Sequence, residues 1–378
     1  MSAPKSHPRR FGFIDLLRGL ALVVMIETHV VNAYLPLQSR HNTFFFWLTF
    51  VNGLVAPAFL FASGFSLILQ MDRKWEEWLG FGPAFWTNMR RLGFITLVAY
   101  YTHLQHFKLS KYLRPEEPNL WKDTLQVDIL QCIIVSLLVV QLLAFMVRTR
   151  TLLARGAILL AGGVAAATPW MWDHDFTTSV PLLLALFLNP HGVSLFPLFP
   201  WICFVLAGSV SAVFFLNSVR DGRETGQIRR FLVSGVVLVL AGLALRSAPY
   251  TLPGYADFYT TSPLYVLVRL GCVLVLCAAL YATEKRTPAA VRTAGQESLL
   301  VYGVHLWLIF AVLRGKHLAP VIGTEAGWAG CFLLSGMVIA FMLWLAGRWQ
   351  YLKKNHTQPT RRGQAAIVVA MVLFFLLR

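Results

Sequence analysis

The chain has 378 residues, of which 57% are hydrophobic and 13% charged, and its mean hydropathy is +0.62. This composition excludes an ordinary soluble domain and indicates a polytopic helical membrane protein, because its apolar runs of about twenty residues can cross a bilayer. The formal net charge of +16 falls mostly on loops predicted to face the cytoplasm. That distribution follows the positive-inside rule, so contact with anionic membrane lipids is expected and nucleic-acid binding is not.

The apolar runs predict an all-α fold with about eleven transmembrane helices and a single domain over residues 1–378. A cytoplasmic N-terminus and eleven crossings would place the C-terminus outside. The predicted spans are about 12–34, 44–70, 90–103, 126–147, 156–172, 199–216, 231–247, 263–283, 298–313, 327–346 and 364–377. The run at 180–188 is too short to cross, so a re-entrant or interfacial helix is expected there.

The first span carries ionisable residues at membrane depth, where they are costly and usually mark a function. At 100° per residue, Asp15, Arg18, His29 and Asn32 fall within about a third of the helix circumference. Arg18 and His29 share a face and lie about 16 Å apart along the axis, whereas Glu27 points elsewhere. The alternative is a structural Asp15–Arg18 salt bridge with a separate, satisfied histidine.

Three features are predicted between the first and fourth spans. Pro57 should kink the second span. The loop 71–89, with tryptophans among charges, should lie in the membrane interface. Arg90 and Arg91 should open the third span at the cytoplasmic face, where anchoring by the positive-inside rule is the simplest explanation of the pair.

Other ionisable residues allow two interpretations each. Arg269 is expected to pair with Glu27, as a structural or a catalytic pair. His305 either orients a group of the active site or is a core histidine bonded to a carbonyl. Four further histidines are expected at the surface or in the membrane interface: His103, His106, His174 and His191. A metal site at His174 with its flanking aspartates is not expected, because no further ligand set accompanies it.

Several motifs resemble the acyltransferase type 3 family. Asp15-Leu-Leu-Arg-Gly-Leu-Ala followed by His29 is similar to the first helix of that family, which carries Arg-x10-His. Phe61-Ala-Ser-Gly-Phe65 resembles its second-helix motif, and Arg90-Arg91 stands where the family has a basic pair. Ser298-Leu-Leu-Val-Tyr-Gly-Val-His305 is similar to its late motif.

The sequence also resembles a related family, heparan-alpha-glucosaminide N-acetyltransferase and its bacterial relatives. It shares the Asp-x-x-Arg-Gly opening, the eleven-span layout, and segments like 54–61, 128–131 and 199–201. In that family the important histidine follows the first helix, after a basic residue, and Arg40-His41 is the matching position here. The carboxylate often found before its second-helix proline is replaced by Asn52-Gly53.

These resemblances imply an acyltransferase of the inner (plasma) membrane. Its expected donor is acyl-coenzyme A, chiefly acetyl-CoA, from the cytosol, and its expected acceptor is a glycan or similar group at the outer face. Imidazole suits the base that activates the acceptor, or it could carry the acyl group itself. The expected catalytic residues are His29, His41, Arg18 and Asp15, with Arg18, Arg90 and Arg91 binding the donor phosphates, and Glu27, Arg269, His305 and Asp128 as further candidates.

Two other classes of protein remain open. The intramembrane Asp, Arg, Glu and His side chains could form the proton relay of a transporter. Many transporters consist of two related halves with paired broken helices, and no such internal symmetry is visible in this sequence. A non-catalytic scaffold would leave the polar face of the first helix unexplained.

Overall fold

The computed structural model describes residues 11–106, 108–191, 193–246, 261–313, 323 and 325–377, which form helices and connecting turns. In chain order the helices are α1 (Gly12–Tyr34), α2 (Thr43–Asn52), α3 (Val55–Asp72), α4 (Trp75–Leu79), α5 (Pro83–Tyr101), α6 (Leu109–Leu113), α7 (Leu120–Leu125), α8 (Ile129–Val147), α9 (Arg150–Asp173), α10 (Leu182–Leu188), α11 (Leu198–Arg220), α12 (Glu224–Arg246), α13 (Pro263–Thr283), α14 (Ala289–Gln296), α15 (Ser298–Leu306), α16 (Trp328–Asn355) and α17 (Thr357–Leu377). The chain divides into two compact units. The first unit comprises Met1–Val55 and Val275–Gly347, and the second comprises Ala56–Leu274 and Arg348–Arg378.

Seven helical segments of the described chain are long and apolar enough to cross a membrane. They are Thr43–Asp72, which joins α2 and α3, and the single helices α8, α9, α11, α12, α13 and α16. The bent pair α14–α15 makes an eighth if it counts as one span. The prediction of an all-helical polytopic protein is therefore confirmed, but its number of eleven spans is not. Reaching eleven requires α1, α5 and α17, whose sequences all carry charged residues.

Two predicted spans coincide with helices of the structure. Helices α1 and α13 have the predicted bounds, and the short helix expected near 180–188 is present as α10. Residues 108–124, between the third and fourth predicted spans, contain α6 and most of α7.

The second predicted span breaks at a different place from the one expected. The chain leaves the helical path at Gly53-Leu54, between α2 and α3, and not at Pro57. Pro57 is the third residue of α3, where a backbone N–H has no partner within the helix, so proline costs little there.

The third predicted span begins earlier than expected. Helix α5 starts at Pro83, and Arg90 and Arg91 are therefore its eighth and ninth residues instead of its first. Pro83 explains this start, since its fixed φ suits the first turn of a helix. In the preceding loop, Trp75 and Trp78 are buried in the second unit, and the Trp75 indole donates to the Arg148 carbonyl at 3.1 Å. The location of this loop in the membrane interface stays a prediction.

The ninth predicted span is one half of a bent pair. Helix α14 occupies part of what was predicted to be a cytoplasmic loop, and it meets α15 at an angle of 84°. Helix α15 then continues as a π-helix over Trp307–Leu313. Such π-helical segments are rare and frequently occur at functional sites.

Helix α14 lies directly against α1 in the first unit. A Cβ atom on Gly19 would lie 2.0 Å from the Val291 carbonyl oxygen, and one on Gly295 would lie 1.9 Å from the Asp15 carbonyl oxygen. Both separations are far shorter than any van der Waals contact, so this helix pair requires glycine at both positions. The contact brings the end of α14 beside the ionisable first turns of α1.

The second unit is built around α11. This helix contacts α9 and α8, and the Cys203 thiol approaches the Ala161 carbonyl oxygen of α9 at 3.4 Å. Near its start, the Trp172 indole donates to the Phe199 carbonyl at 2.7 Å. The Phe199-Pro-Trp201 segment is thus fixed to the end of α9.

Candidate functional site

The first cluster of the candidate site joins α1 to α14. Asp15 is buried and accepts a hydrogen bond from the Arg18 guanidinium at 2.7 Å through one carboxylate oxygen. Its other oxygen accepts from the Gln296 amide at 3.1 Å. Only 16% of the Arg18 side chain is exposed. A buried ion pair is rarely favourable through its Coulomb energy alone, so the pair is not by itself evidence of stabilisation.

The second cluster places two imidazoles side by side. His29 lies on α1 with its ring centre 5.4 Å from that of His305 and 5.8 Å from that of Phe310. His305 is fully buried, and its Nδ1 lies 2.8 Å from the Val301 carbonyl oxygen, which fits an N–H donor at Nδ1. Phe310 belongs to the π-helical segment. His305 therefore has the carbonyl hydrogen bond expected of a core histidine, and its ring also lies against His29.

Glu27 occupies a different side of α1, as its position in the sequence predicts. It is partly buried, and the Asn52 side chain at the end of α2 lies beside it. Asn52 stands in the segment where the related family often has a carboxylate. Here an amide, which can donate to Glu27, takes that place.

The loop after α1 is held to the end of that helix by Arg40. Its guanidinium donates to the Leu35 carbonyl at 2.7 and 3.1 Å and to the Asn32 carbonyl at 3.1 Å. A cation bonded to the last carbonyls of a helix interacts favourably with the helix dipole. The next residue, His41, is exposed, so it lies on the surface near the end of the helix that carries His29.

The other predicted residues belong to the second unit. Arg90 and Arg91 are exposed on α5, which suits either lipid or ligand contact. Arg269 is buried in α13, with its guanidinium 5.0 Å from the centre of the Tyr265 ring. The pairing of Arg269 with Glu27 stays a prediction.

Asp128 forms a polar cluster of its own at the start of α8. It caps that helix together with Gln131, and it lies 3.7 Å from the His103 imidazole. The Gln131 amide lies 3.4 Å from His103 and donates to the Ala99 carbonyl at 3.3 Å. The His103 side chain is therefore only 10% exposed, because it closes onto the capping residues of α8. His174 and His191 are exposed, as predicted.

Sequence reasoning missed two polar residues of the first unit. Gln296 bonds the Asp15 carboxylate, and its neighbour Glu297 is buried at the bend between α14 and α15. The available signal was a Gln-Glu pair directly before the Ser298 motif. It was overlooked because the preceding residues looked like a cytoplasmic loop.

Within the described ranges, no group of three or more His, Cys, Asp or Glu side chains is arranged to hold a metal ion.

Long apolar helices together with a buried Asp–Arg pair and a contacting histidine pair define an integral membrane protein with an enzyme-like polar site. The chain belongs to the heparan-alpha-glucosaminide N-acetyltransferase family, since the model of that family's catalytic region matches residues 10–246. This membership indicates a membrane-bound acetyltransferase. No protein among the curated sequences searched matches the chain.

The match covers only part of the candidate site. It includes α1, Arg40-His41, α5 and Asp128, whereas Arg269 and His305 lie beyond residue 246. The resemblance to the acyltransferase type 3 family depends partly on the 298–305 motif, which the matched range does not include, and it stays a resemblance.

Proposed function

We propose that this protein transfers an acetyl group from cytosolic acetyl-CoA to a glycan or similar acceptor at the outer face of the membrane. The observation that carries the proposal is the composition of α1, which holds the Asp15–Arg18 pair and His29 in a chain of this acetyltransferase family. In this proposal residues 1–378 act as one transmembrane transferase domain.

The reaction requires a base near neutral pH, and His29 is the proposed base. It removes the proton from the acceptor amine or hydroxyl as the acceptor attacks the thioester carbonyl carbon. The bond from that carbon to sulfur then breaks, and coenzyme A leaves as a thiol once it has taken up a proton. The product is an amide if the acceptor atom is nitrogen and an ester if it is oxygen.

Arg18 is the proposed anchor for the donor. Its guanidinium is oriented by Asp15, and Asp15 is itself held by Gln296. About 16 Å of helix separates Arg18 from His29. Coenzyme A carries its phosphates and its thioester at opposite ends of a long flexible arm, so the spacing suits this donor. Arg90 and Arg91 are proposed to supply further positive charge for the phosphates.

His41 is the second candidate for the base. It follows Arg40, which is bonded to the end of α1, and it is exposed where an acceptor arriving from solution would meet it. His29 is favoured because it contacts a second imidazole and lies on the helix that carries Arg18. Glu27, Arg269, His305 and Asp128 remain candidates for positioning roles.

A proton-coupled transporter is the alternative of a different class, and it is not favoured. Family membership supports a transferase, and the ion pair of α1 has a direct use in anchoring an anionic donor. A transporter would instead require the acidic and basic groups to exchange protons during turnover.

Donor affinity tests the role of Arg18. The Arg18→Ala variant should bind coenzyme A at least about tenfold more weakly, because a hydrogen bond to a charged group contributes roughly 1.5–3 kcal/mol. Isothermal calorimetry on purified protein measures this affinity. Arg286→Ala is the matched control, since Arg286 is an exposed cation of the same unit. Unchanged coenzyme A affinity in Arg18→Ala would refute the anchoring role.

The proposed sidedness places the N-terminus in the cytoplasm, in the inner membrane, with the C-terminus outside if eleven helices cross. A cysteine introduced at exposed Ser110 should react with a membrane-impermeant thiol reagent on intact cells, and one at exposed Thr225 should not. The unaltered protein, which has five cysteines within or beside apolar helices, gives the background. Labelling at 225 without labelling at 110 would reverse the orientation and the proposed side of donor binding.

A further inference from the structure

A pocket lies at the turn between α11 and α12, in the second unit. It has a volume of about 250 Å³ and is lined by Ser218, Gly222, Arg223, Thr225, Gly226, Gln227 and Arg230. A neighbouring pocket of about 300 Å³ shares Gly226 and Arg230 with it and adds Arg229, Val233 and Ser234. The two adjoining pockets therefore meet at Gly226 and Arg230, in the first two turns of α12.

The positive charge of Arg229 and Arg230 is not balanced locally. Arg223 forms an ion pair with Asp221 at 2.6 Å, whereas Arg230 donates only to the neutral Gln227 side chain at 3.4 Å. In the part of the chain that the structure describes, neither Arg229 nor Arg230 forms an ion pair with a carboxylate. Both side chains are exposed, so they are available to an anion.

Buried polar groups fix the base of this pocket. Gln227 and Ser218 are both buried, and the Ser218 hydroxyl donates to the Gln227 carbonyl oxygen at 3.3 Å. The same oxygen accepts from Arg230. The first turns of α12 are thus tied to the end of α11, and the Arg230 guanidinium is held at the edge of the pocket.

An apolar strip begins directly beside the two arginines. Arg229, Val233, Val236 and Leu240 follow one another at spacings of three or four residues, so they share one face of α12. Val233, Val236 and Leu240 are 54%, 43% and 61% exposed on a helix long and apolar enough to cross a membrane. Positively charged side chains and exposed apolar side chains are therefore continuous on one face of α12.

We propose that the N-terminal end of α12 is a binding site for an anionic phospholipid. The headgroup phosphate contacts Arg229 and Arg230 in the pocket, and the acyl chains lie along Val233, Val236 and Leu240. Guanidinium groups bind phosphate through charge-assisted hydrogen bonds. A lipid fits better than a free phosphate, because a soluble anion would make no use of the apolar strip. The site does not depend on the proposed transferase reaction.

The test compares lipid affinities of the purified full-length protein by native mass spectrometry. Phosphatidylglycerol and phosphatidylcholine with identical acyl chains are titrated separately. Loss of a surface arginine should weaken binding of an anionic lipid roughly fivefold, and loss of both about 25-fold. Arg229→Gln/Arg230→Gln should therefore lose most of its phosphatidylglycerol affinity, and with it the preference of the unaltered protein for phosphatidylglycerol over phosphatidylcholine.

Lys285→Gln/Arg286→Gln is the matched control, because it removes an adjacent pair of exposed cations elsewhere in the chain. It should retain the phosphatidylglycerol affinity of the unaltered protein, and an equal loss in both double variants would show only a general charge effect and overturn the site. Equal affinity in the Arg229/Arg230 variant and the unaltered protein would overturn it as well. Inorganic pyrophosphate should fail to displace the lipid, and efficient displacement would identify a site for free phosphates instead.

Discussion

Replacement of His29 by alanine should lower the rate of acyl transfer by about 10²–10⁴-fold, with little change in donor affinity. Loss of a general base removes an interaction used mainly in the transition state, so the chemical step slows while binding is preserved. The donor is proposed to be held at Arg18, about 16 Å away along α1. Single-turnover measurements with acetyl-CoA and a glycan acceptor in excess separate the chemical step from binding.

The same assay on His41→Ala distinguishes the two candidate bases. If His29 is the base, His41→Ala should retain most of the rate, because the exposed loop histidine then contributes only to acceptor approach. A large loss confined to His41→Ala would transfer the role to the loop. His174→Ala is a suitable control, since His174 is exposed in the second unit. Near-normal transfer rates in both the His29 and the His41 variants would exclude both histidines as the base, and a lack of transfer by the unaltered protein would contradict the transferase proposal.

Local features of the chain were predictable from the sequence. The bounds of α1 and α13 agree with the prediction because long apolar runs end at clear signals, such as Pro36 after α1. The proximity of Asp15 and Arg18 also follows from helix geometry, since residues three apart are neighbours on one face. Such predictions require only the helical periodicity of the side chains and the free-energy cost of placing a charge in a membrane.

Contacts between distant parts of the chain were not predictable in the same way. Asp15 and Gln296 are 281 residues apart, and nothing in either segment identifies the other as its partner. The contact between His29 and His305 depends on the bend of 84° between α14 and α15. The hydropathy of the sequence predicted one straight span from Ser298 onward. An apolar run gives no information about the angle between its own helix and the helix before it.

The helix that contains Arg90 and Arg91 also starts earlier than the span predicted for it. Arg90 and Arg91 were assigned to the start of a span because positive charge usually marks the cytoplasmic boundary. The helix starts seven residues before Arg90, where Pro83 follows Gly82. Local turn chemistry therefore decided the start of the helix, and the arginines lie within it.

Substitution of Gly295 by alanine should destabilise the protein and weaken donor binding together. The added Cβ would lie 1.9 Å from the Asp15 carbonyl oxygen and 2.8 Å from the Gly19 nitrogen, both of them backbone atoms of α1. The helices must separate to relieve the clash, at a cost of roughly 1–3 kcal/mol or more. Because Gln296 is the next residue, its hydrogen bond to the Asp15 carboxylate should be lost in the same movement. Thermal unfolding in detergent and calorimetry with coenzyme A measure the two effects.

Gly303→Ala is the matched control for this packing. Gly303 lies in α15, and a Cβ there would have no heavy atom within 4 Å beyond its chain neighbours and the backbone of its own helix. Alanine favours the helical conformation over glycine by about 0.8–1 kcal/mol, so this variant should be as stable as the unaltered protein or more stable. Equal unfolding temperatures for Gly295→Ala and Gly303→Ala would contradict the close contact of α1 with α14. A stability loss in Gly295→Ala with full coenzyme A affinity would instead separate that contact from the orientation of Arg18.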